Sequence, residues 1–130
     1  MTSALPIALL CLGASLGAMA RWQLSLWLNT GGAVPWGTLA ANLAGGYLIG
    51  LLVALFHAMP EIDPVWRLAL VTGFLGALTT FSTFSIETVS LLQANRPLQA
   101  LGLAALHLLG SLALTWLGLR SGAWWMALSR

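Results

Sequence analysis

Four apolar runs, each long enough to cross a lipid bilayer and three of them closed by a turn signal, leave this 130-residue chain little choice of solvent. A membrane-spanning helix needs roughly 20 mostly apolar residues, and the runs cover about residues 4–28, 36–58, 65–93 and 98–119. Asn29-Thr30-Gly31-Gly32 follows the first, Pro60-Glu61-Ile62-Asp63-Pro64 the second and Asn95-Arg96-Pro97 the third. Charged residues are 6% of the chain, where a soluble domain carries about a quarter. With a mean hydropathy of +0.92, the surface is one that lipid can solvate and water cannot. The expected fold is all-α: a single transmembrane domain over residues 1–130, with short connections that pack sequence neighbours antiparallel in one bundle.

Ala18-Met19-Ala20 at the end of the first run imitates a signal-peptidase site. A signal peptide also wants a positive stretch before its apolar run, and Met1-Thr2-Ser3 has no basic side chain, so the segment reads as the first span. The basic pI of about 9.5 comes from Arg21, Arg67, Arg96, Arg120 and Arg130. They are scattered rather than clustered, which argues against a nucleic-acid partner. Cys11 has no second cysteine to pair with and reads as a small apolar side chain. Two histidines fifty residues apart, one cysteine and three acids make neither a hydrolytic nor a zinc constellation, so no enzyme is expected.

Glycines four residues apart, Gly13 with Gly17 and Gly46 with Gly50, mark faces where membrane helices approach closely. Gly102, Gly110 and Gly118 recur every eight residues on roughly one stripe of the fourth run. The third run is different. Within Thr72-Gly73-Phe74-Leu75-Gly76-Ala77-Leu78-Thr79-Thr80-Phe81-Ser82-Thr83-Phe84-Ser85, two glycines and then hydroxyl residues weaken a helix in mid-bilayer. A break at that depth is tolerated where protein, water or an ion satisfies the freed backbone groups. Freed carbonyls are hard ligands suited to a small cation. The alternative is an intact helix whose hydroxyls bond back one turn earlier; the residues alone leave both open.

With four spans, both termini and the loop between the second and third share one side, which holds Arg67, Arg120 and Arg130. The other side holds Arg96, together with Arg21 if that residue stands near the outer end of its span. Three arginines against two give almost no bias, so charge sets no orientation. The chain is therefore expected to insert both ways and to pair with an oppositely oriented copy.

Polar groups inside a span are costly and usually functional. Asn42, ahead of Gly45-Gly46, offers two N–H donors to an anion, or a hydrogen bond between helices. Phe81 and Phe84 share a helix face; such a pair is ordinarily packing, yet a phenyl ring has a positive edge that can hold an anion weakly. His107, Ser111 and Thr115 form a polar stripe at four-residue spacing, with the histidine equally readable as a packing residue. Glu87 is the only acid well inside a run and is expected to pair or cap near a membrane face. Arg21 is its candidate partner, or alternatively a vestibule charge that draws anions inward.

The stretch from Gly73 to Ser85, with Glu87 after it, closely resembles the third-helix signature of the Fluc (CrcB) fluoride channels. Ala20-Arg21-Trp22, Trp36-Gly37-Thr38-Leu39 and the segment from Asn42 to Gly50 resemble that family's first and second helices, in the right order, so the likeness covers essentially the whole chain. It implies an antiparallel, dual-topology homodimer in the inner (cytoplasmic) membrane, with two separate pores passing fluoride passively. It implies that Asn42, Phe81 and Phe84 line the path, that Ser111 and Thr115 belong to a hydroxyl track, and that Arg21 sits near the vestibule. It also implies that backbone carbonyls of Gly76 and Thr79 hold a central structural Na⁺ shared by two subunits. His107 stands where a small hydroxyl would fit the track, and Leu103 where some members have tyrosine. The rival of another class, a small proton-coupled multidrug transporter, needs an acid in the first span, and residues 4–28 contain none.

Overall fold

The computed structural model describes residues 4–128; Met1-Thr2-Ser3 and Arg130, which entered the reading of the N-terminus and of topology, lie outside them. The described secondary structure is helical throughout. Four spans have the length and hydropathy to cross a bilayer: Ala4–Leu28, Trp36–Ala58, Pro64–Gln93 and Pro97–Leu128.

Local chemistry sets their ends. Gly31 takes φ +88° in the first loop, a conformation glycine adopts without penalty. Asn29 Oδ1 accepts the N–H of Gly37 at 2.7 Å, satisfying a free donor in the first turn of the second span. Asp63 caps the third span by accepting the N–H of Val65 at 2.9 Å, with Pro64 in the first turn, where its missing N–H costs nothing. That span ends with Asn95 at φ +57°, and the N–H groups of Asn95 and Arg96 return to the carbonyls of Leu92 and Leu91.

The fourth helix continues nine residues past the expected end at 119, to Leu128. Arg120 reads as an exit charge in sequence but breaks nothing: its guanidinium lies 5.5 Å from the centroid of the Trp116 ring. Gly118 and Gly122 are buried against the second span and keep the helix docked. At about 1.5 Å per residue the 32-residue helix reaches about 48 Å, well beyond about 30 Å of hydrocarbon. Trp124 and Trp125 in its last turns are of the type that suits the interfacial layer.

Sequence neighbours are not the main packing partners, contrary to expectation. The first span packs chiefly along the N-terminal half of the third, and the second along the fourth, so each principal pair runs parallel. The reason lies in the glycines. A Cβ on Gly13 or Gly17 would strike the carbonyl oxygen of Ala69 or Phe74, and one on Gly50 or Gly118 that of Thr115 or Tyr47. Approach of backbone to backbone this close is what associates helices in lipid, where apolar burial offers no advantage. Gly102 does not share that role, since an added Cβ there meets nothing within 4 Å. Buried residues are few, with Ala41, Leu75 and Leu78 at the centre. Large apolar side chains such as Leu12, Leu108 and Leu112 face outward, as does the free thiol of Cys11.

The third span is interrupted. A turn (Pro64–Arg67), a π-helical stretch (Leu68–Leu75) and a last turn (Gly76–Leu78) lead to Thr79 at φ −79°, ψ 153° and Thr80 at φ −149°, ψ 111°. Helix resumes over Phe81–Gln93. Of the two readings the residues left open, the break is realised, at Thr79-Thr80. The hydroxyls of Thr79, Ser85, Thr88 and Ser90 nevertheless bond back to carbonyls one turn earlier.

Candidate functional site

An extended residue in mid-bilayer must find partners for its peptide groups outside its own helix. Asn42 of the second span provides them. Its Oδ1 accepts the N–H of Thr80 at 2.7 Å and its Nδ2 donates to the carbonyl of Thr80 at 3.0 Å. An added Cβ on Gly45 would strike the Thr79 methyl, so the glycine lets the break lie flush against the second span. Thr80 Oγ1 completes the device by accepting the N–H of Thr83 at 3.1 Å, capping the helix that follows. Its own proton goes to Thr83 Oγ1 at 2.9 Å.

The second N–H of Asn42 meets His107 Nδ1 at 3.1 Å. Both donors of the amide are therefore committed, one to the break and one to the fourth span. His107 is buried, at 4% exposure, and its Nε2 has no hydrogen-bond partner among the described residues. Such a buried orphan costs about 1–3 kcal/mol, so it asks for a use. The imidazole stacks on Phe84 with centroids 4.6 Å apart and planes at 29°. Phe84 in turn meets Phe81 edge-on, at 5.4 Å and 67°. Phe81 itself is 79% exposed and stands clear of the bundle.

These groups share one groove of ≈ 730 Å³ between the second, third and fourth spans. Asn42, Phe81, Phe84, His107, Ser111 and Thr115 all line it, and Gly76 and Thr79 are in its wall. Among the described residues no acidic, lysine or arginine side chain lines it. Within the polar stripe of the fourth span the hydroxyls differ. Thr115 donates to the Ser111 carbonyl at 2.8 Å, whereas the Ser111 hydroxyl has no such bond among the described residues.

Neither Arg21 nor Glu87 lines the groove. Glu87 Oε1 accepts the hydroxyl of Thr38 at 2.7 Å, so its partner is a second-span threonine rather than Arg21. Thr38 is 1% exposed, and its hydroxyl proton goes to Glu87. In sequence Thr38 stands only within the Trp36-Gly37-Thr38-Leu39 segment of the family likeness, with no role of its own marked. The other Glu87 oxygen is buried without a partner. Leu103 is buried core, at 2% exposure.

The break also frees carbonyls. In an unbroken helix the Gly76 carbonyl would take the N–H of Thr80, and that of Thr79 the N–H of Thr83. Those N–H groups go instead to Asn42 Oδ1 and Thr80 Oγ1. Gly76 and Thr79 thus offer uncharged oxygen ligands, a donor set that fits a hard monovalent cation. Among the described residues no three His, Cys, Asp or Glu side chains gather in the manner a transition metal requires.

Comparison with known proteins agrees along almost the whole chain. The family model described as CrcB-like protein, Camphor Resistance (CrcB), matches residues 8–119. A protein of Variovorax paradoxus (strain S110) named Fluoride-specific ion channel FluC is 65% identical over 117 residues, covering 90% of this chain and 94% of that protein. A protein of the same name from Paracidovorax citrulli (strain AAC00-1) is 59% identical over 123 residues, covering 95% and 98%. Another, from Pseudomonas putida (strain W619), is 60% identical over 109 residues, covering 83% and 86%. With four spans and a match over this much of its length, the chain is a multi-pass membrane protein and belongs to the CrcB family.

Proposed function

We propose that this protein is a passive, fluoride-selective channel of the cytoplasmic membrane, working as an antiparallel homodimer with two anion paths. The observation that carries the reading is the groove: the Phe81 and Phe84 rings, the His107 imidazole and the Ser111 hydroxyl line it beside a broken helix, with no full charge in the wall among the described residues. The name shared by relatives up to 65% identical supports fluoride as the ion.

Fluoride is small and holds water strongly. A path must replace that water with donors, yet a fixed cation would trap the ion. Neutral N–H and O–H groups replace part of the hydration shell, and phenyl edges hold the ion by their weak positive rim. Phe81, 79% exposed on one protomer, gains a purpose when an oppositely oriented copy closes over the groove. Between such copies the Gly76 and Thr79 carbonyls would hold a structural Na⁺, which would tie the two breaks together. Fluoride enters cells as neutral HF in acid surroundings and is trapped as the anion. A pore without coupling lets the negative interior expel it.

Purified protein in liposomes tests the reading. The expected result is fluoride efflux without chloride efflux and without proton coupling, slowed at least about tenfold by Phe81→Ile. Fluoride retained by vesicles that contain assembled protein refutes it. A C-terminal tag found on one membrane face only would remove the antiparallel dimer.

A further inference from the structure

A second groove, of ≈ 840 Å³, lies between the second and fourth spans toward their C-terminal ends. Ile49 and Thr115 are the furthest residues of those spans to line the first groove, and the second begins at Val53 and Trp116, so the two follow one pair of helices in succession. His57 and Arg120 are the ionisable groups in its wall, and no acid lines it among the described residues. Arg120 stands deep for a charge. An added Cβ on Gly118 would strike the Tyr47 carbonyl and one on Gly122 the Ala54 methyl, so Arg120 lies no further out than Ala54. That is one turn, about 6 Å, inside the end of the second span at Ala58. Its guanidinium leans back along the helix, away from that end, to lie 5.5 Å from the centroid of the Trp116 ring. A charge at such a depth faces protein or a wet cavity rather than lipid. With one face on the indole, the planar group keeps its N–H edges for a ligand, and among the described residues none of them has a hydrogen bond or an ion pair.

We infer that Arg120, held on Trp116 in this second groove, is an anion-collecting charge at one mouth of the fluoride path. The inference rests on the channel reading above and deepens it. The stripe His107, Ser111, Thr115 runs along the fourth span toward this groove, so an ion following it comes next to Trp116 and Arg120. Arginine stays protonated at any working pH, and a fixed cation in a cleft with low-dielectric walls raises the local concentration of anions. At a wide, wet mouth the attraction is screened and releases the ion readily; in the narrow waist the same charge would trap it. The charge therefore belongs where the structure has it, one turn beyond the uncharged lining.

Full-length protein in liposomes of uncharged phosphatidylcholine tests this, with fluoride kept low enough that flux rises in proportion to it. At low ionic strength Arg120→Gln is expected to conduct about three- to tenfold more slowly than the native protein, the effect of losing one partly screened charge near the path. Arg120→Lys, which keeps the charge, stays within about twofold of the native flux. Raising the ionic strength to about 1 M with a large impermeant anion, isethionate, shortens the screening length to about 3 Å and brings Arg120→Gln level with the native protein. A second arm works on protein already folded. Cys11 is exposed, so Cys11→Ser removes its thiol, and Arg120→Cys in that background is treated with methanethiosulfonate reagents. The trimethylammonium-ethyl reagent should raise flux and the sulfonatoethyl reagent lower it. Native flux in Arg120→Gln at low ionic strength, a deficit that salt leaves untouched, or equal effects of the two reagents overturns the inference while the native protein still conducts. A deficit that appears only when anionic lipid is added makes Arg120 a headgroup anchor, and overturns it as well. A native protein that passes no fluoride overturns the channel reading itself.

Discussion

The third and fourth spans are built from similar material and behave differently. Both carry glycines and hydroxyl residues in mid-membrane, yet the fourth runs unbroken for 32 residues while the third breaks at Thr79-Thr80. The difference lies in what meets each helix from outside. In the fourth span Gly118 and Gly122 are spent on contact with the second, and Thr115 returns its hydroxyl to its own helix at Ser111. In the third span Asn42 offers Thr80 replacements for both of its peptide hydrogen bonds, and the Thr80 hydroxyl caps the helix that follows. Small and polar residues permit a break; an external partner produces it.

The comparison can be broken hardest at the glycines of the unbroken helix. In Gly118→Leu a side chain would have to occupy the space of the Tyr47 carbonyl, so the second and fourth spans are expected to separate. Loss of the folded, extractable protein in size-exclusion chromatography would show it; wild-type yield and elution would remove the packing account. Asn42→Ala comes next. It strands two buried peptide groups at about 1–3 kcal/mol each, so the protein should assemble with clearly lower resistance to thermal or denaturant unfolding. Fluoride efflux should fall at least about tenfold with it. Undiminished stability would mean that the break supports itself.

A smaller effect is expected at the cap. Thr80→Val removes the oxygen that accepts the N–H of Thr83 and should cost about 1 kcal/mol, read as a lower unfolding midpoint, while Thr80→Ser recovers most of it. The smallest is at Gly102, the one glycine of the fourth-span stripe that touches no neighbour. Gly102→Ala should be neutral or add up to about 1 kcal/mol by helix propensity alone, with flux unchanged. A destabilised Gly102→Ala would show that the residue faces a close partner in the assembled channel.

Much of the site was legible because its residues sit close together in the chain. The Gly73–Ser85 stretch carries the break, the phenylalanine pair and the freed carbonyls within one segment, and four-residue spacing puts His107, Ser111 and Thr115 on one face. What escaped were partners far apart in sequence. Glu87, for which Arg21 was one candidate partner, takes the hydroxyl of Thr38, and of the two readings open for Asn42 the structure shows hydrogen bonds between helices. No local pattern marks Thr38 or Thr80 for those roles.

Run length and hydropathy are local properties, so the chain alone determined that it crosses a membrane four times, where three of its turns fall, and which family it resembles. Packing decided the rest. Whether the fourth helix stops at 119 or continues to Leu128, which spans pair, and which way an amide and an imidazole point depend on the faces that come to oppose each other. A hydrogen bond needs a partner within about 3 Å, and only the folded bundle brings Asn42, Thr80 and His107 to that distance.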